Sequence, residues 1–409
     1  MLAIRYVKSI PRYLMVRSLA PYWQDVSTGA LSCIELAEIP VPALPNAEWV
    51  RISPRLSGIC GSDLSTIQAQ GSPYLSPFVS CPFVFGHEIV GTVAEIGAKV
   101  TGIALGDRVV IEPALSCRIR GIEPTCRQCQ QENYGTCENL TQGHIAPGLQ
   151  TGYCQSTGGG WSSALVAHQL QIYPVPETLS DEEAVLMEPF SCAIHAVLKV
   201  MPTAPQTVLV IGCGLIGLLT IAALRSLGFE GKLLVIAKYP HQAELAKTLG
   251  ADQIFPTDKL LYTQLRQALD CQIFYPELGK PVLTGGADCS FDCVASSTSI
   301  DDALRFTRSQ GNVILVGMPS IPQGIDWTAI WFKELHIRGS YAYGLETYQG
   351  AKMRTFDLAI KIIQQQSGLL SRLVTGHYPL QKYQTALHAA MNPGKSKAIK
   401  TVFDLRNQE

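Results

Sequence analysis

The stretch TVLVIGCGLIGLLTIAALRSLG, from Thr207 to Gly228, constrains the fold most. An apolar run too short for a helix passes through Gly212-x-Gly214-x-x-Gly217 into a longer apolar segment. That order predicts a strand buried on both faces, a sharp turn and a covering helix. The first glycine permits the turn, the second lets a pyrophosphate approach the backbone, and the third allows close helix packing. With Leu215 and Ile216 in the same turn, these residues form a candidate cradle for a dinucleotide.

The downstream text keeps the pattern going. A second strand (KLLVIA), a helix (HQAELAKTLGA), a third strand (QIF) and later strands in CSFDCVAS and GNVILVGMP follow in order. Alternating strands and helices predict a parallel sheet covered on both faces, an α/β doubly wound Rossmann arrangement. An acidic residue at the end of the second strand would grip the ribose of NAD. Ala237 stands there instead, followed by Lys238, which leaves a cation for a 2′-phosphate and favours NADP over NAD. The plainer alternative is a solvated lysine and use of either cofactor. The stretch CQIFYPELGKPVLTGGAD reads as a loop longer than the alternation needs.

Before about Pro189 the texture differs, with short β-type runs broken by Gly, Pro and Asn. The tail offers a helix (TFDLAIKIIQQQ) and a closing strand (AIKTVFDL) expected to return to this strand-rich part. A chain of 409 residues with 47% hydrophobic and 16% charged residues is long enough for two domains. A net charge of -1 gives no global reason to bind nucleic acid or an anionic membrane. No apolar run reaches the roughly 18 residues of a membrane span, so a soluble protein is expected. The basic start, with Arg5, Lys8, Arg12 and Arg17, hints at a transit peptide, but LAIRYV fits a first strand better. Without an export signal, 13 cysteines read as reduced thiols and point to the cytoplasm.

Four of those cysteines cluster: Cys117, Cys126, Cys129 and Cys137 read C-x8-C-x2-C-x7-C. A disulfide knot, a redox pair, a metal cage and coincidence are all open from spacing alone. The others, such as Cys33, Cys81, Cys154 and Cys213, are scattered and read as packing residues. A second constellation joins Cys60 of SGICGSDL to His87 and Glu88 of FGHEIVG. Thiolate, imidazole and carboxylate are the donor types that zinc takes.

With GICGSD, GHEIVGTVAEIGAKVTGIALGDRVVIEP, LMEPFSCAIHAV, VLVIGCGLIG and GNVILVGMP in order, the chain resembles the zinc-dependent medium-chain dehydrogenase/reductase superfamily. Within that alcohol dehydrogenase superfamily it is most similar to the sorbitol and threonine dehydrogenase-like branch. The resemblance implies a strand-rich, GroES-like catalytic domain over residues 1–190 and 340–409, with a Rossmann cofactor domain over 191–339. It implies two zinc ions per chain. Cys60, His87 and Glu88 would hold the catalytic one, with Glu188 as fourth ligand or as partner of its water. Cys117, Cys126, Cys129 and Cys137 would hold a structural one, Cys117 reaching it across an enlarged first gap.

The same resemblance implies that Ser62 receives the substrate proton, that Asp63 hydrogen-bonds His87, and that Val294, Val316 and Gly317 join the glycines around the cofactor. At Ser65 many relatives carry a relay histidine, so the proton path differs here. Ser65, Tyr74, Trp161, Tyr341 and Tyr343 are candidate pocket walls. The implied activity is a zinc-dependent, NAD(P)-linked alcohol or polyol dehydrogenase acting on a small molecule, assembled as a homodimer or homotetramer. The alternatives are a zinc-independent NADPH reductase of the quinone or enone type and a non-catalytic NADP-binding redox sensor.

Overall fold

The computed structural model describes residues 1–366 and 368–406. The chain forms two units: one comprises Met1–Glu188, Tyr343–Leu345 and Phe356–Glu409, the other Pro189–Ala342 and Glu346–Thr355. Among the described residues, no helix is long and apolar enough to cross a membrane.

The first unit is built on Trp49–Gly58, whose inward residues Val50, Ile52 and Leu56 are wholly buried. This strand pairs antiparallel with Ile89–Ile96, Leu165–His168 and the closing strand Lys400–Asp404. Val374–Tyr378, Arg108–Ile111 and Ile172–Pro174 complete a seven-stranded sheet. Val50, Ile52, Ile89, Val93, Val109 and Leu165 form one core of this unit. Pro54 cannot donate to a ladder, and the register with Ile89–Ile96 shifts beside it. A three-stranded sheet of Ile34–Glu38, Leu2–Tyr6 and Phe83–Val84 lies over an aromatic core of Phe83, Phe85, Tyr153, Trp161 and Phe403. The N-terminal part holds a helix, Ile10–Leu19, that the sequence reading did not foresee.

The second unit holds a six-stranded parallel sheet. Its spatial order is Gln253–Pro256, Lys232–Ala237, Thr207–Ile211, Ala287–Asp292, Thr307–Leu315 and His336–Gly339. Counted along the chain, that order is third, second, first, fourth, fifth, sixth, so the sequence direction reverses beside Thr207–Ile211. Strand residues Val208, Leu209, Val210, Leu233, Leu234 and Val235 are fully buried, as a sheet covered on both faces requires. The stretch read as a long loop instead folds as a small antiparallel hairpin, Gln272–Phe274 with Val282–Thr284. Its paired β-type residues are separated by a Pro- and Gly-containing turn, a hairpin signal that the reading passed over.

Candidate active site

In the first unit Cys60 stands directly before helix Gly61–Ile67. Asp63, wholly buried in the first turn of that helix, accepts a hydrogen bond from the Cys60 backbone N–H at 3.0 Å. The start of the helix therefore fixes where the Cys60 thiol points. His87 follows Gly86, whose φ of 96° suits glycine and where a Cβ would strike Trp161 and Ser57. The imidazole is buried, with Nε2 3.5 Å from the Ser62 hydroxyl and Nδ1 3.6 Å from Asp63 Oδ1. At 3.6 Å the Asp63 contact is electrostatic, not the expected hydrogen bond.

Burial opposes charge on His87, yet Asp63 and Cys60 outweigh it and raise its pKa to about 10, with Glu188 acting in the same direction. Burial likewise pushes the Asp63 pKa up, while His87 and the Cys60 N–H pull it back. A buried imidazole beside a thiol and the Asp63 carboxylate offers donor types that a dication takes. Cys60, Ser62, Asp63 and His87 are thus brought together, and Glu188 enters only through its charge on His87.

Glu88 is directed elsewhere. Its carboxylate forms an ion pair with Lys400, both side chains being almost fully buried, and Lys400 Nζ donates to the Ile59 carbonyl at 3.0 Å. Sequence reasoning also missed Tyr153. Its buried hydroxyl donates to Asp63 Oδ1 and lies beside Thr66 Oγ1, each at 3.3 Å, and its ring faces His87. Nothing in the text around Tyr153 signals this contact. Trp161 is a core residue rather than a pocket wall: it is wholly buried, and its Nε1 donates to the Gly58 carbonyl. Tyr343 is likewise buried, packed edge-on against Phe356. Tyr74 is exposed.

The four clustered cysteines settle as one group, their sulfurs all within 4.8 Å of one another. All are free thiols, which removes the disulfide knot. Backbone N–H groups of Cys126, Glu138 and Asn139 and the Asn139 side chain point at three of the sulfurs, at 3.3–3.4 Å. Such donors favour thiolates, and Cys137 is drawn down to about 5 by the hydrogen bond from Cys129, against its burial. Four sulfurs closing on one point are the donor set of a structural zinc site. Arg120, carried by the enlarged gap, holds the lobe from within. Fully buried, it donates to the carbonyls of Leu115, Gln142, Ile145, Ala146 and Gly148.

The cofactor candidates of the second unit meet at the carboxyl ends of its strands. Gly212 has φ of 95°, and a Cβ there would strike Val294. A Cβ on Gly217 would overlap the Gly212 carbonyl, whereas one on Gly214, at the cap of helix Leu215–Ser226, would meet only open space. The backbone beside Gly214 is therefore free for a phosphate to approach. Val316 and Gly317 donate to the Asp292 carbonyl at 3.0 and 2.9 Å, which ties their turn to the one carrying Val294. Leu215 and Ile216 open the helix, and Lys238 follows Ala237 at the end of the second strand. Asp292, also missed, is fully buried and accepts from the backbone N–H groups of Val294 and Ala295.

A family model described as the alcohol dehydrogenase GroES-like domain matches residues 46–177, and one described as zinc-binding dehydrogenase matches 216–357. The chain is 28% identical over 371 residues to D-xylulose reductase A of Aspergillus oryzae, covering 90% of this chain and 93% of that one. It is also 28% identical over 364 residues to sorbitol dehydrogenase of Bacillus subtilis, covering 88% and 90%. The chain belongs to the zinc-type medium-chain dehydrogenases, on the sorbitol dehydrogenase branch. An Escherichia coli oxidoreductase of unknown specificity superposes on this dehydrogenase with a TM-score of 0.71 and 25% identity, over 91% of this chain and 95% of that one. The first matched region of the dehydrogenase contains Cys60, His87, Glu88 and all four clustered cysteines.

Proposed function

We propose that this chain is a zinc-dependent polyol dehydrogenase that reversibly oxidises a carbinol group of a small polyhydroxylated substrate at the expense of NADP. The observation that carries the reading is the grouping of Cys60, His87 and Ser62 beside buried Asp63. The names of the relatives, a D-xylulose reductase and a sorbitol dehydrogenase, point to the polyol and ketose class.

In this proposal Cys60 and His87 hold the catalytic zinc with Glu188 at its edge, and Glu88 either joins them or stays with Lys400. Cys117, Cys126, Cys129 and Cys137 hold the second. When bound, the metal supplies Lewis acidity toward the substrate oxygen and the nicotinamide accepts hydride. Ser62, whose Oγ lies 3.5 Å from His87 Nε2, takes the hydroxyl proton in this reading. Asp63 fixes the Cys60 backbone and balances His87. Gly212, Gly214, Leu215, Ile216, Gly217, Val294, Val316 and Gly317 seat the dinucleotide, and Lys238 meets its 2′-phosphate.

Catalysis falls in this reading to residues 1–190 with 340–409, although Glu346–Thr355 fold with the second unit, cofactor binding falls to 191–339, and the assembly is a homodimer or homotetramer. The ligand-type residues Cys60 and His87 disfavour a zinc-independent reductase. Elemental analysis of the wild type and Cys60→Ala tests the whole reading. Two zinc ions per chain falling to one, with turnover on a polyol panel abolished, is the expected result. One zinc in both proteins, with activity retained, would sink it.

A further inference from the structure

We propose that helix Ile10–Leu19 and the turn after it form a docking surface for an anionic lipid bilayer. The helix is seated by one narrow stripe: Val16 is buried against Val26 and Ala69, with Tyr13 and Ala20 beside it. A helix resting on a protein body ordinarily turns polar residues to water on its other side. Here the outer side carries apolar residues as well, Ile10 at 66% and Leu14 at 56% exposed, one turn apart, with Leu19 at 39% exposed on the flank. Tyr22 and Trp23 extend the patch and are 90% and 51% exposed. Five large apolar or aromatic side chains left exposed within fourteen residues of chain point to an interaction site.

Charge selects the partner. Val7 to Trp23 contains Lys8, Arg12 and Arg17 and neither Asp nor Glu. Arg12 donates to the Ser32 carbonyl and Arg17 to the Tyr13 hydroxyl, so neither positive charge is spent on a carboxylate among the described residues. Asp25, the first acid after this stretch, lies 3.3 Å from the His388 ring. The net charge of -1 conceals this local imbalance. A second copy of the chain is the less favoured occupant, since this stretch brings three cations and no acid of its own to pair with them. An anionic bilayer offers negative headgroups to Lys8, Arg12 and Arg17 and an apolar layer to Ile10, Leu14 and Leu19. Tyr and Trp side chains favour the boundary between those layers.

The test is co-sedimentation of the full-length protein with phosphatidylcholine vesicles, with and without phosphatidylserine. Three basic residues, each worth about a fivefold gain, give an expected preference of roughly a hundredfold for the anionic vesicles. Added salt should weaken it. Leu14→Asp and the double variant Arg12→Glu with Arg17→Glu should each lose binding while keeping the wild-type melting temperature, because these side chains are exposed. Absence of wild-type binding, equal binding to both vesicle types, or undiminished binding by Leu14→Asp would overturn the proposal. Self-association of the wild type that Leu14→Asp abolishes would assign the face to a second copy and overturn it equally.

Discussion

Residues whose chemistry is unusual for their surroundings could be read from the text. Cys60 beside a Gly-rich turn, a His–Glu pair on an apolar strand and four close cysteines each carry donor atoms that a core does not need. Tyr153 could not be read, because a buried tyrosine is common and its contact with Asp63 spans ninety positions of chain. Trp161 was misread for a related reason: a tryptophan after glycines fits a pocket wall or a packed core equally, and only its hydrogen bond to Gly58 decides. Lys238 allows a sharper test. If it holds a 2′-phosphate, Lys238→Glu should raise the NADP Kd by about tenfold, the worth of one charge-assisted contact, and leave the NAD Kd nearly unchanged. Titration of both dinucleotides against both proteins measures this. An equal change for both cofactors would return Lys238 to the role of a solvated side chain.

Among elements, strands and helices with a strong period were legible, and those set by tertiary contact were not. Thr207–Ile211 and Leu215–Ser226 follow from an apolar run, a turn and another apolar run. Helix Ile10–Leu19 has apolar residues on both its faces, so no period announces it, and Pro11 in its first turn is the one local sign. Helix Ser297–Phe306 shows what an element gains from its neighbours. Its Asp301 accepts from Arg305 at 3.0 Å, from Lys280 at 2.9 Å and from the Asp326 backbone N–H at 3.2 Å. Burial pushes the Asp301 pKa up, but the bonds from Arg305 and Lys280 outweigh it and leave it below the usual value. A carboxyl depressed by folding stabilises above its unfolded pKa and loses that contribution as pH falls through the folded one. Asp301→Asn should therefore cost about 1 kcal/mol at neutral pH, since it weakens a partly exposed network. Denaturant unfolding of both proteins should show the gap narrowing below about pH 4. A gap independent of pH would mean that packing, not charge, holds the helix.

For the whole molecule, the closing strand Lys400–Asp404 matters because it delivers a charge as well as a core. Val402 and Phe403 are wholly buried, and pairing with Leu56–Gly58 carries Lys400 to Glu88. The text gave the strand from its β-type residues but not the ion pair, because nothing local links a lysine near one terminus to a glutamate near the other. That pair decides what Glu88 can do. Removing one partner of a buried pair leaves an uncompensated charge at a cost of about 3–5 kcal/mol, so Lys400→Met should be destabilised by that amount in zinc-free protein, whereas Lys400→Arg should not. If Glu88 can turn to a metal held by Cys60 and His87, zinc supplies the missing positive charge. The stabilisation on adding zinc should then be larger in Lys400→Met than in the wild type, a difference that urea unfolding with and without the metal reads directly. Equal increments in the two proteins would show that Glu88 stays with the fold, and that Cys60, His87 and Glu188 complete the site without it.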